Sequence, residues 1–268
     1  RCGDEYRFLL RWVYVNLLFI LNDDGDKRIG TASLTVGDTV GPGGWARSLR
    51  NIPVFVHLAQ AARRYCPKAV ILNYTNPMGT LTRVLSENTG QPVVGLCHGL
   101  FECYEVLKGI FNLKSEEEIK MNFGGINHFF WILDLKINGK DGYAMLRRRL
   151  KDRNFAELVR KTYIDGAGFH SDKWVTGELF REYGYLPYVG DRHICEFFSR
   201  YLAPDEKNLR LYHLHRTSIA ERRQNKKRQL TKIKNLLSGK ELMDPTPSRE
   251  TAANIMSSIT KGGEFIDV

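Results

Sequence analysis

Two short, continuous apolar runs, each followed by a loop and then a helical segment, constrain the fold more than any other feature of the sequence. The runs are Ala69–Tyr74 and Val93–Leu96. An uninterrupted apolar strand is typical of a parallel sheet covered on both faces, because neither face meets water. Helical spacing over Asn51–Tyr65, Thr80–Glu87 and Phe101–Ile110 supplies the covering helices. This alternation predicts an α/β fold with a doubly wound sheet.

The pattern changes near Lys114–Lys120. Beyond this point, strands are predicted over Lys120–Phe123 and Phe129–Ile137 with a turn at Asn138-Gly139, helices over Tyr143–Tyr163 and Lys173–Tyr183, and an irregular loop over Tyr185–His193. The sequence therefore predicts two domains. Residues 1–116 form a Rossmann-type nucleotide-binding domain, and residues 117–268 form an α+β domain.

The positive charge of the chain is concentrated in one segment. The 268 residues carry a formal net charge of +10, which raises the question of nucleic-acid binding. Arg216–Lys240 holds nine basic residues and one acidic residue, and the other 243 residues carry only +2. We predict an amphipathic surface helix that packs one face and solvates the other. An anion or nucleic-acid contact is the alternative, because a basic patch by itself is only an electrostatic footprint.

The cysteines and the apolar stretches bear on the cellular setting. The five cysteines form no CxxC pair, which argues against a disulfide framework or a structural zinc site. A reducing, cytoplasmic setting is therefore expected. The most apolar stretch, Phe8–Leu21, is only 14 residues long, too short for a membrane-spanning helix, and no small-residue cleavage site follows it. We expect a soluble protein without a membrane partner.

Polar side chains follow both predicted parallel strands. Asn73 and Asn76 follow the first, and their amides are able to bind the hydroxyls of a sugar or a ribose. Ligands bind at this edge of an open α/β sheet, because the loops converge there and helix N-termini point at the ligand. The dipeptide Asn76-Pro77 is equally consistent with a simple turn.

Cysteine and histidine mark a second candidate site. Cys97 and His98 follow the second strand, and Asn127 and His128 lie between the two later strands. A thiolate and an imidazole from separate loops are good ligands for a divalent first-row metal. The alternatives are a buried, inert cysteine and a histidine that serves only as a polar group with local partners.

Two further loops are less specific. The glycine-rich run Gly37–Gly44 is predicted as a loop before a helix that begins near Ala46, and it is not a GxGxxG phosphate-binding turn. Asp191 and His193, in Gly190-Asp191-Arg192-His193, are compatible with an acid/base pair. They are also compatible with a local salt-bridge cluster.

Taken together, five strings in this order resemble the NAD-dependent glycosidases of glycoside hydrolase family four. The strings are Asp38-Thr39-Val40-Gly41-Pro42-Gly43-Gly44, Arg50-Asn51-Ile52-Pro53, Asn73-Tyr74-Thr75-Asn76-Pro77-Met78-Gly79, Gly95-Leu96-Cys97-His98-Gly99 and Gly125-Ile126-Asn127-His128 with Trp131. The resemblance is close from Gly37 to Trp131 and looser from Gly177 to Phe198. It implies a partial NAD-binding Rossmann-type doubly wound sheet followed by an α+β lactate-dehydrogenase-like C-terminal domain.

The resemblance also implies an unusual mechanism, outside the two-carboxylate scheme of most glycosidases. In such enzymes NAD takes hydride from C3 of the sugar, a base removes the acidified C2 proton, and the glycosidic oxygen is eliminated. A divalent metal, usually Mn²⁺, polarises the C2 and C3 oxygens. Cys97 and His128 match the metal-ligand positions of the family, and Asn73 lies where a cofactor contact is expected.

The remaining roles follow from the same resemblance. Asn76 and Asn127 match positions that contact substrate hydroxyls. His98 resembles the α-galactosidase, α-glucosidase and α-glucuronidase branches, since the branches that act on 6-phosphorylated sugars tend to carry Asp or Asn there. Asp191 is the first candidate for the general base or its assistant, and Tyr185 is the second. The resemblance further implies a homodimer or a homotetramer with a small glycoside as substrate.

The resemblance fails at both ends of the chain. No Gly-rich turn of the kind that holds the NAD pyrophosphate in the family precedes Gly37, and the last residues resemble a segment that continues in the family. The expectation is an internal piece of a longer enzyme, or a remnant of one, that binds NAD weakly. Tight NAD binding by the isolated chain in a calorimetric titration would contradict this.

Two other classes of protein compete with a glycosidase. A dehydrogenase of the lactate and malate type shares a similar fold, but its site needs a His/Asp pair and an arginine and has no thiolate metal ligand. A non-enzymatic protein that binds through the basic segment is the third class, and a salt-dependent shift on DNA would favour it.

Overall fold

The computed structural model describes residues 39–151, 153–160, 173–201, 206–214, 219–243 and 251–262. The helices within these ranges are α1 (Gly41–Tyr65), α2 (Met78–Thr89), α3 (Gly99–Phe111), α4 (Gly142–Leu150), α5 (Phe155–Arg160), α6 (Trp174–Tyr183), α7 (Asp191–Ile194), α8 (Glu206–Leu211), α9 (Ile219–Leu237) and α10 (Ala252–Lys261). The strands are β1 (Ile71–Asn73), β2 (Val93–Gly95), β3 (Ile119–Ile126), β4 (Phe129–Ile137), β5 (Lys140–Asp141) and β6 (Leu186–Pro187). The apolar stretch Phe8–Leu21 lies outside the described residues.

The two predicted apolar strands form a parallel pair covered on both faces. Ile71 of β1 lies opposite Val93 of β2, and Asn73 lies opposite Gly95. Side chains of α1 and α2 pack against Ile71 on one face, whereas α10 packs on the other face against Val70 and Leu72. This arrangement confirms the α/β class with helices on both sides of the sheet. Because both strands end at the same edge, the loops that follow Asn73 and Gly95 lie side by side.

The first helix begins earlier than the sequence predicts. It starts at Gly41, and not near Ala46, so the prediction that the whole run Gly37–Gly44 is a loop is wrong from Gly41 onwards. Proline stands in the first turn, where a helix loses nothing by a missing backbone N–H. The C-terminal end near Cys66-Pro67 is as predicted. The early start places Thr39 directly at the N-terminal end of the helix.

An antiparallel sheet forms the second part of the fold. Strand β4 lies at its centre, pairs with β3 along its full length, and pairs with β5 and β6 on its other side. The connection predicted over residues 124–128 is shorter than expected. Strand β3 continues to Ile126 and leaves only Asn127 and His128 in the turn. Buried side chains of β4, such as Ile132 and Leu135, face α3, α4 and α6 and form the largest core.

Two further predictions need correction, one for a helix and one for a loop. The predicted helix Tyr143–Tyr163 is interrupted: α4 ends at Leu150, and α5 begins after Asn154, whose side chain accepts a hydrogen bond from Glu157 N at 3.1 Å. Asparagine favours such an N-terminal cap, because its carbonyl oxygen satisfies a free backbone N–H. The predicted loop Tyr185–His193 contains the short strand β6 and the start of α7.

The basic segment is a helix, α9, but it does not pack one face as predicted. Its apolar residues are largely exposed, with exposed fractions of 50% for Leu230, 50% for Ile233 and 84% for Leu237. The described part of the chain therefore provides no core for this helix, and the prediction of a packed face is wrong for these residues. No helix in the described ranges is long and apolar enough to cross a membrane.

The helix α10 belongs to the parallel sheet although it lies near the C-terminus. Its first residue, Ala252, is buried against Val70 and Leu72, and its backbone N–H donates to the Tyr74 hydroxyl at 3.2 Å. The division at residues 116 and 117 remains a prediction. In space, α10 belongs with the strands of the first predicted domain.

Replacing Gly125 with alanine tests the hairpin that ends at His128. Gly125 has a φ of +143°, and an added Cβ would lie 2.3 Å from the carbonyl oxygen of Phe129. We expect the free energy of unfolding to fall by about 2 to 4 kcal/mol, because backbone strain and a backbone clash add. Gly139 is the matched control. It also has a positive φ, +74°, but no atom lies within 4 Å of an added Cβ. Urea denaturation of both variants should give a clearly smaller loss for Gly139→Ala, and equal losses would contradict the clash.

Candidate metal and sugar site

Cys97 and His128 lie together, as the candidate metal pair requires. Cys97 follows β2 at the carboxyl edge of the parallel sheet, and His128 lies in the turn between β3 and β4. The distance from Cys97 Sγ to His128 Nε2 is 3.4 Å. Bonds of about 2.3 Å to sulfur and about 2.1 Å to nitrogen separate adjacent ligands of one ion by about 3.1 to 3.6 Å. The two donor atoms are therefore spaced as two ligands of a single ion.

The conformation of His128 is fixed from several sides. Its φ is +62°, a left-handed value that histidine, asparagine and aspartate adopt more often than other side chains do. The imidazole is buried, and Nδ1 lies 2.7 Å from the Thr39 hydroxyl oxygen. A hydrogen bond at Nδ1 determines which ring nitrogen is available to a metal. The contact with Thr39 thus directs Nε2 towards Cys97.

Two aromatic rings complete the surroundings of His128. The His193 ring stacks on it with a centroid distance of 4.0 Å, and the Tyr188 ring stacks at 5.4 Å. Burial lowers the pKa of His193 to about 4, and the positive charge of Arg192 acts in the same direction. His193 is therefore neutral at pH 7. A neutral ring is compatible with a nearby cation, whereas a charged imidazolium would repel it.

Asp191 is fully buried and bonded to the N-terminus of α6. Its Oδ2 accepts from Val175 N at 3.0 Å, and its Oδ1 accepts from Thr176 N at 3.0 Å and from the Thr176 hydroxyl at 2.6 Å. Burial raises the pKa of this carboxyl group, whereas the charge of Lys173 and the bonds from Thr176 and Val175 lower it. Asp191 thus caps a helix in this conformation, and its role as a base remains a prediction.

Tyr185, the second candidate for the base, has a different environment. Its side chain is 47% exposed, and its ring contacts Tyr143 edge to face at a centroid distance of 5.8 Å. It lies directly before β6, which pairs with Trp131 and Ile132 of β4. No contact in the described residues joins Tyr185 to Cys97 or His128, so its catalytic role also remains a prediction.

The two asparagines that follow β1 shape the loop there. Asn73 Oδ1 accepts from Thr75 N at 2.9 Å, and Asn73 Nδ2 donates to the Thr82 hydroxyl at 3.0 Å. The amide of Asn73 thus bonds within its own loop and to α2, so this residue forms the edge of the sheet. Asn76 Oδ1 accepts from Met78 N at 3.2 Å. The side-chain oxygen of Asn76 therefore takes part in the turn, as the turn interpretation predicts.

Asn127 and His98 flank the metal pair. Asn127 precedes His128 in the hairpin turn, and its Nδ2 atom is buried without a hydrogen-bond partner in the described part of the chain. A buried donor of this kind costs free energy unless a ligand or a water satisfies it. His98 is exposed at the N-terminal end of α3, directly after Cys97. Both positions are suitable for contact with a bound sugar.

Several residues of this site carry no functional signal in the sequence. Thr39 and Tyr188 contact His128, and Lys173 pairs with Glu102 beside Asp191. Lys173 had no local signal, because a lysine before a helix is usually exposed. His193 was noticed only as part of a charged loop. The stacking of His193 on His128 depends on long-range packing, which a linear pattern does not encode.

Family models identify the class of protein. A model described as Family 4 glycosyl hydrolase matches residues 25–113, and a model described as Family 4 glycosyl hydrolase C-terminal domain matches residues 123–266. The chain belongs to this family. This membership favours the glycosidase hypothesis over the dehydrogenase and the non-enzymatic binding protein.

Individual relatives support the same assignment. The alpha-galacturonidase of Thermoanaerobacterium saccharolyticum is 33% identical over 244 residues, which cover 87% of this chain and 52% of that protein. Among solved structures, that of lplD from Bacillus subtilis, described as a glucosidase, is 31% identical with a TM-score of 0.74, covering 87% of this chain and 55% of that one. A 6-phospho-alpha-glucosidase from gut microorganisms, solved with NAD and Mn²⁺, has a TM-score of 0.61 at 20% identity, covering 84% of this chain and 50% of that one, and shows the same fold. The chain spans about half the length of the relatives it matches.

The residues of the site fit a divalent metal. The Cys97 and His128 donors have the right spacing for one ion, and a thiolate with an imidazole suits a first-row divalent cation. The described residues contain no group of three or more His, Cys, Asp and Glu side chains at ligand spacing. For NAD, the carboxyl edge of β1 and β2 is where such sheets bind a dinucleotide, and Asn73 shapes that edge.

Proposed function

We propose that this chain carries the metal- and sugar-binding part of a glycosidase that cleaves α-glycosides with NAD and a divalent metal. The observation that carries the proposal is the 3.4 Å spacing between Cys97 Sγ and His128 Nε2 at the carboxyl edge of the parallel sheet. The two side chains come from separate sheets and face each other at this spacing. A shared cation gives both side chains a reason for this arrangement.

The substrate class proposed first is the α-galacturonides, with neutral α-galactosides and α-glucosides as the comparison. The relative with 33% identity over 87% of this chain is an alpha-galacturonidase. His98, next to the candidate metal ligand, also resembles the branches that act on sugars without a 6-phosphate. We therefore expect no preference for phosphorylated sugars.

Two bound groups would supply the chemistry that side chains lack. A divalent metal held by Cys97 and His128 would act as a Lewis acid towards the C2 and C3 oxygens of the sugar. NAD at the edge of β1 and β2 would accept the C3 hydride and return it at the end of the cycle.

The chain's own residues orient this site and bind the sugar. The Thr39 hydroxyl holds His128 Nδ1, and the His193 ring covers one face of the His128 imidazole and limits water there. Asn127 Nδ2 would donate to a sugar hydroxyl, which would satisfy its unpartnered hydrogens. Asn76 and His98, on the two neighbouring loops, would contact the remaining hydroxyls.

Removal of the C2 proton requires a base, and Asp191 is our first candidate. Burial raises the pKa of its carboxyl group, and the Lys173 charge and the backbone N–H groups of Thr176 and Val175 act in the opposite direction, towards the ionised form. An ionised carboxylate is the form that accepts a proton. Tyr185 is the second candidate, because its ring is half exposed and lies on the same segment as Tyr188.

Release of p-nitrophenol from aryl α-glycosides tests the proposed reaction. The panel comprises α-galacturonide, α-galactoside, α-glucoside and α-glucuronide, with saturating NAD, Mn²⁺ and a reductant, each omitted in turn. We expect hydrolysis that requires NAD and Mn²⁺ together, with the α-galacturonide cleaved fastest. Hydrolysis without NAD would contradict the redox mechanism, and Mn²⁺ binding without hydrolysis at any NAD concentration would indicate a remnant.

Two finer features belong to the same proposal. We propose a homodimer or a homotetramer, as the family resemblance implies, and light scattering coupled to gel filtration measures it. We also propose a reducing, cytoplasmic setting. None of the described cysteines Cys66, Cys97, Cys103 and Cys195 is in a disulfide bond, and a metal-binding Cys97 has to stay reduced.

A further inference from the structure

Lys173 is a fully buried cation that the mechanism above does not use directly. Its side chain has an exposed fraction of 0%, and its backbone has a φ of +58° at the N-terminal end of α6. Its ammonium group forms a short ion pair with Glu102, which lies in the first turn of α3. A buried ammonium group is costly unless it is paired, so this contact is an essential part of the local structure.

Lys173 is also connected to the segment that carries Asp191 and His193. Asp191 accepts from the backbone N–H groups of Val175 and Thr176, which follow Lys173 in the first turn of α6. Lys173 is therefore joined to α3 by its ion pair with Glu102 and to α7 by the bonds that its neighbours form with Asp191. Each of these helices is connected to the candidate metal site.

The connections are short in sequence and in space. Helix α3 begins at Gly99, two residues after Cys97, and Glu102 is in its first turn. On the other side, His193 follows Asp191 by two residues and stacks on His128 at 4.0 Å. The cation thus lies between the segment that carries one candidate metal ligand and the segment that packs on the other.

Stability alone does not explain this cluster. Buried ion pairs are often replaceable by apolar residues without loss of stability, and in some proteins they are retained because they fix the position of the elements that they join. We propose that Lys173 is a positioning residue of the glycosidase site. Its ion pair with Glu102 holds the first turn of α3 against the start of α6, to which Asp191 is bonded, and so sets the spacing at which Cys97, His128 and His193 meet. This inference rests on the proposed function.

Cobalt binding tests the inference without requiring catalysis. Co²⁺ bound to Cys97 gives a thiolate-to-metal charge-transfer band, which reports the geometry of the site directly. In the full 268-residue chain, we expect Lys173→Met to weaken Co²⁺ binding about 10- to 100-fold and to alter the band, because residues that orient metal ligands have effects of this size. Lys173→Arg should recover part of the affinity, since it keeps the charge.

Two further variants separate positioning from folding. The double variant Lys173→Met with Glu102→Gln removes both charges and leaves no uncompensated carboxylate at Glu102. We expect it to regain most of the thermal stability lost in Lys173→Met but not the Co²⁺ affinity. The control is Lys108→Met, which removes an ammonium group that lies 2.9 Å from Glu105 on the same helix and 4.0 Å from Glu116. This control should bind Co²⁺ as the wild type does.

Activity measurements provide an independent arm. Where the wild type hydrolyses an aryl α-glycoside, we expect the double variant to lose about 10- to 100-fold in kcat with KM changed less than threefold. A double variant, or a folded Lys173→Met variant, with the wild-type band, Co²⁺ affinity and kcat would overturn the inference. A wild-type chain without any thiolate band would instead overturn the proposed metal site, so the two failures are distinguishable.

Discussion

Replacing Cys97 with serine is expected to abolish Mn²⁺ binding and glycoside hydrolysis together. The change keeps the size of the side chain but removes the thiolate, and a serine hydroxyl is a poor ligand because it stays protonated near neutral pH. The loss of a residue that only orients a metal ligand costs 10- to 100-fold in affinity or activity, so the loss of a ligand should exceed about a hundredfold. Calorimetric titration with Mn²⁺ and release of p-nitrophenol measure the two effects on the same sample.

Cys66→Ser is the matched control for this substitution. Cys66 is also a partly buried cysteine outside any disulfide bond, and it lies at the C-terminal end of α1, far along the chain from the candidate ligands. We expect Cys66→Ser to keep the wild-type Mn²⁺ affinity and activity. Full Mn²⁺ binding by Cys97→Ser would show that the pairing of Cys97 with His128 is structural, and the proposed reaction would then lack its Lewis acid.

The parallel sheet was predictable because its signals are local. The runs Ala69–Tyr74 and Val93–Leu96 are continuously apolar, and only strands covered on both faces require that pattern. The turn at Asn138-Gly139 and the end of α1 at Cys66-Pro67 are marked by residues with strong backbone preferences. Helix starts were less accurate. Gly41, Gly43 and Gly44 favour a loop by their intrinsic preferences, but the helix includes all three, so intrinsic preference alone does not locate its start.

The prediction that α9 packs one face was wrong for a different reason. Spacing shows which apolar residues share a face, but it does not show whether another element covers that face. Leu230, Ile233 and Leu237 have the spacing of a packed stripe and are at least half exposed in the structure. The described residues contain nothing that covers them.

The candidate metal ligands were predictable from the sequence, but the residues that hold them in place were not. Cys97 and His128 follow strand ends, where polar side chains are unexpected in a core, and the resemblance supplied their pairing. Lys173 and Glu102 are 71 residues apart, and ordinary charged residues carry no signal for burial. The capping contacts of Asp191 with α6 depend on how two helices pack, so a loop sequence could not indicate them.

Replacing Asp191 with asparagine is expected to have the second large effect, on stability and activity together. The carboxylate accepts from the backbone N–H groups of Val175 and Thr176 through different oxygens. An asparagine amide offers only one oxygen, so its NH₂ group faces a backbone donor and leaves that donor unsatisfied. We expect the free energy of unfolding to fall by about 2 to 4 kcal/mol, because a buried backbone N–H loses a bond to a carboxylate and faces a second donor instead.

Thr176→Val is the control that separates capping from catalysis. It removes only the hydroxyl that donates to Asp191 Oδ1 at 2.6 Å, which should cost about 1 to 3 kcal/mol and leave the carboxylate in place. If Asp191 is the base, the folded Asp191→Asn variant loses at least about a hundredfold in kcat, the lower end of the usual effect of general-base catalysis, whereas Thr176→Val loses far less. If folded Asp191→Asn instead keeps kcat within tenfold, Asp191 acts only as a cap. The large loss in kcat should then appear in Tyr185→Phe, because Tyr185 is the other candidate on this segment and its phenolate oxygen is the group that would accept the proton.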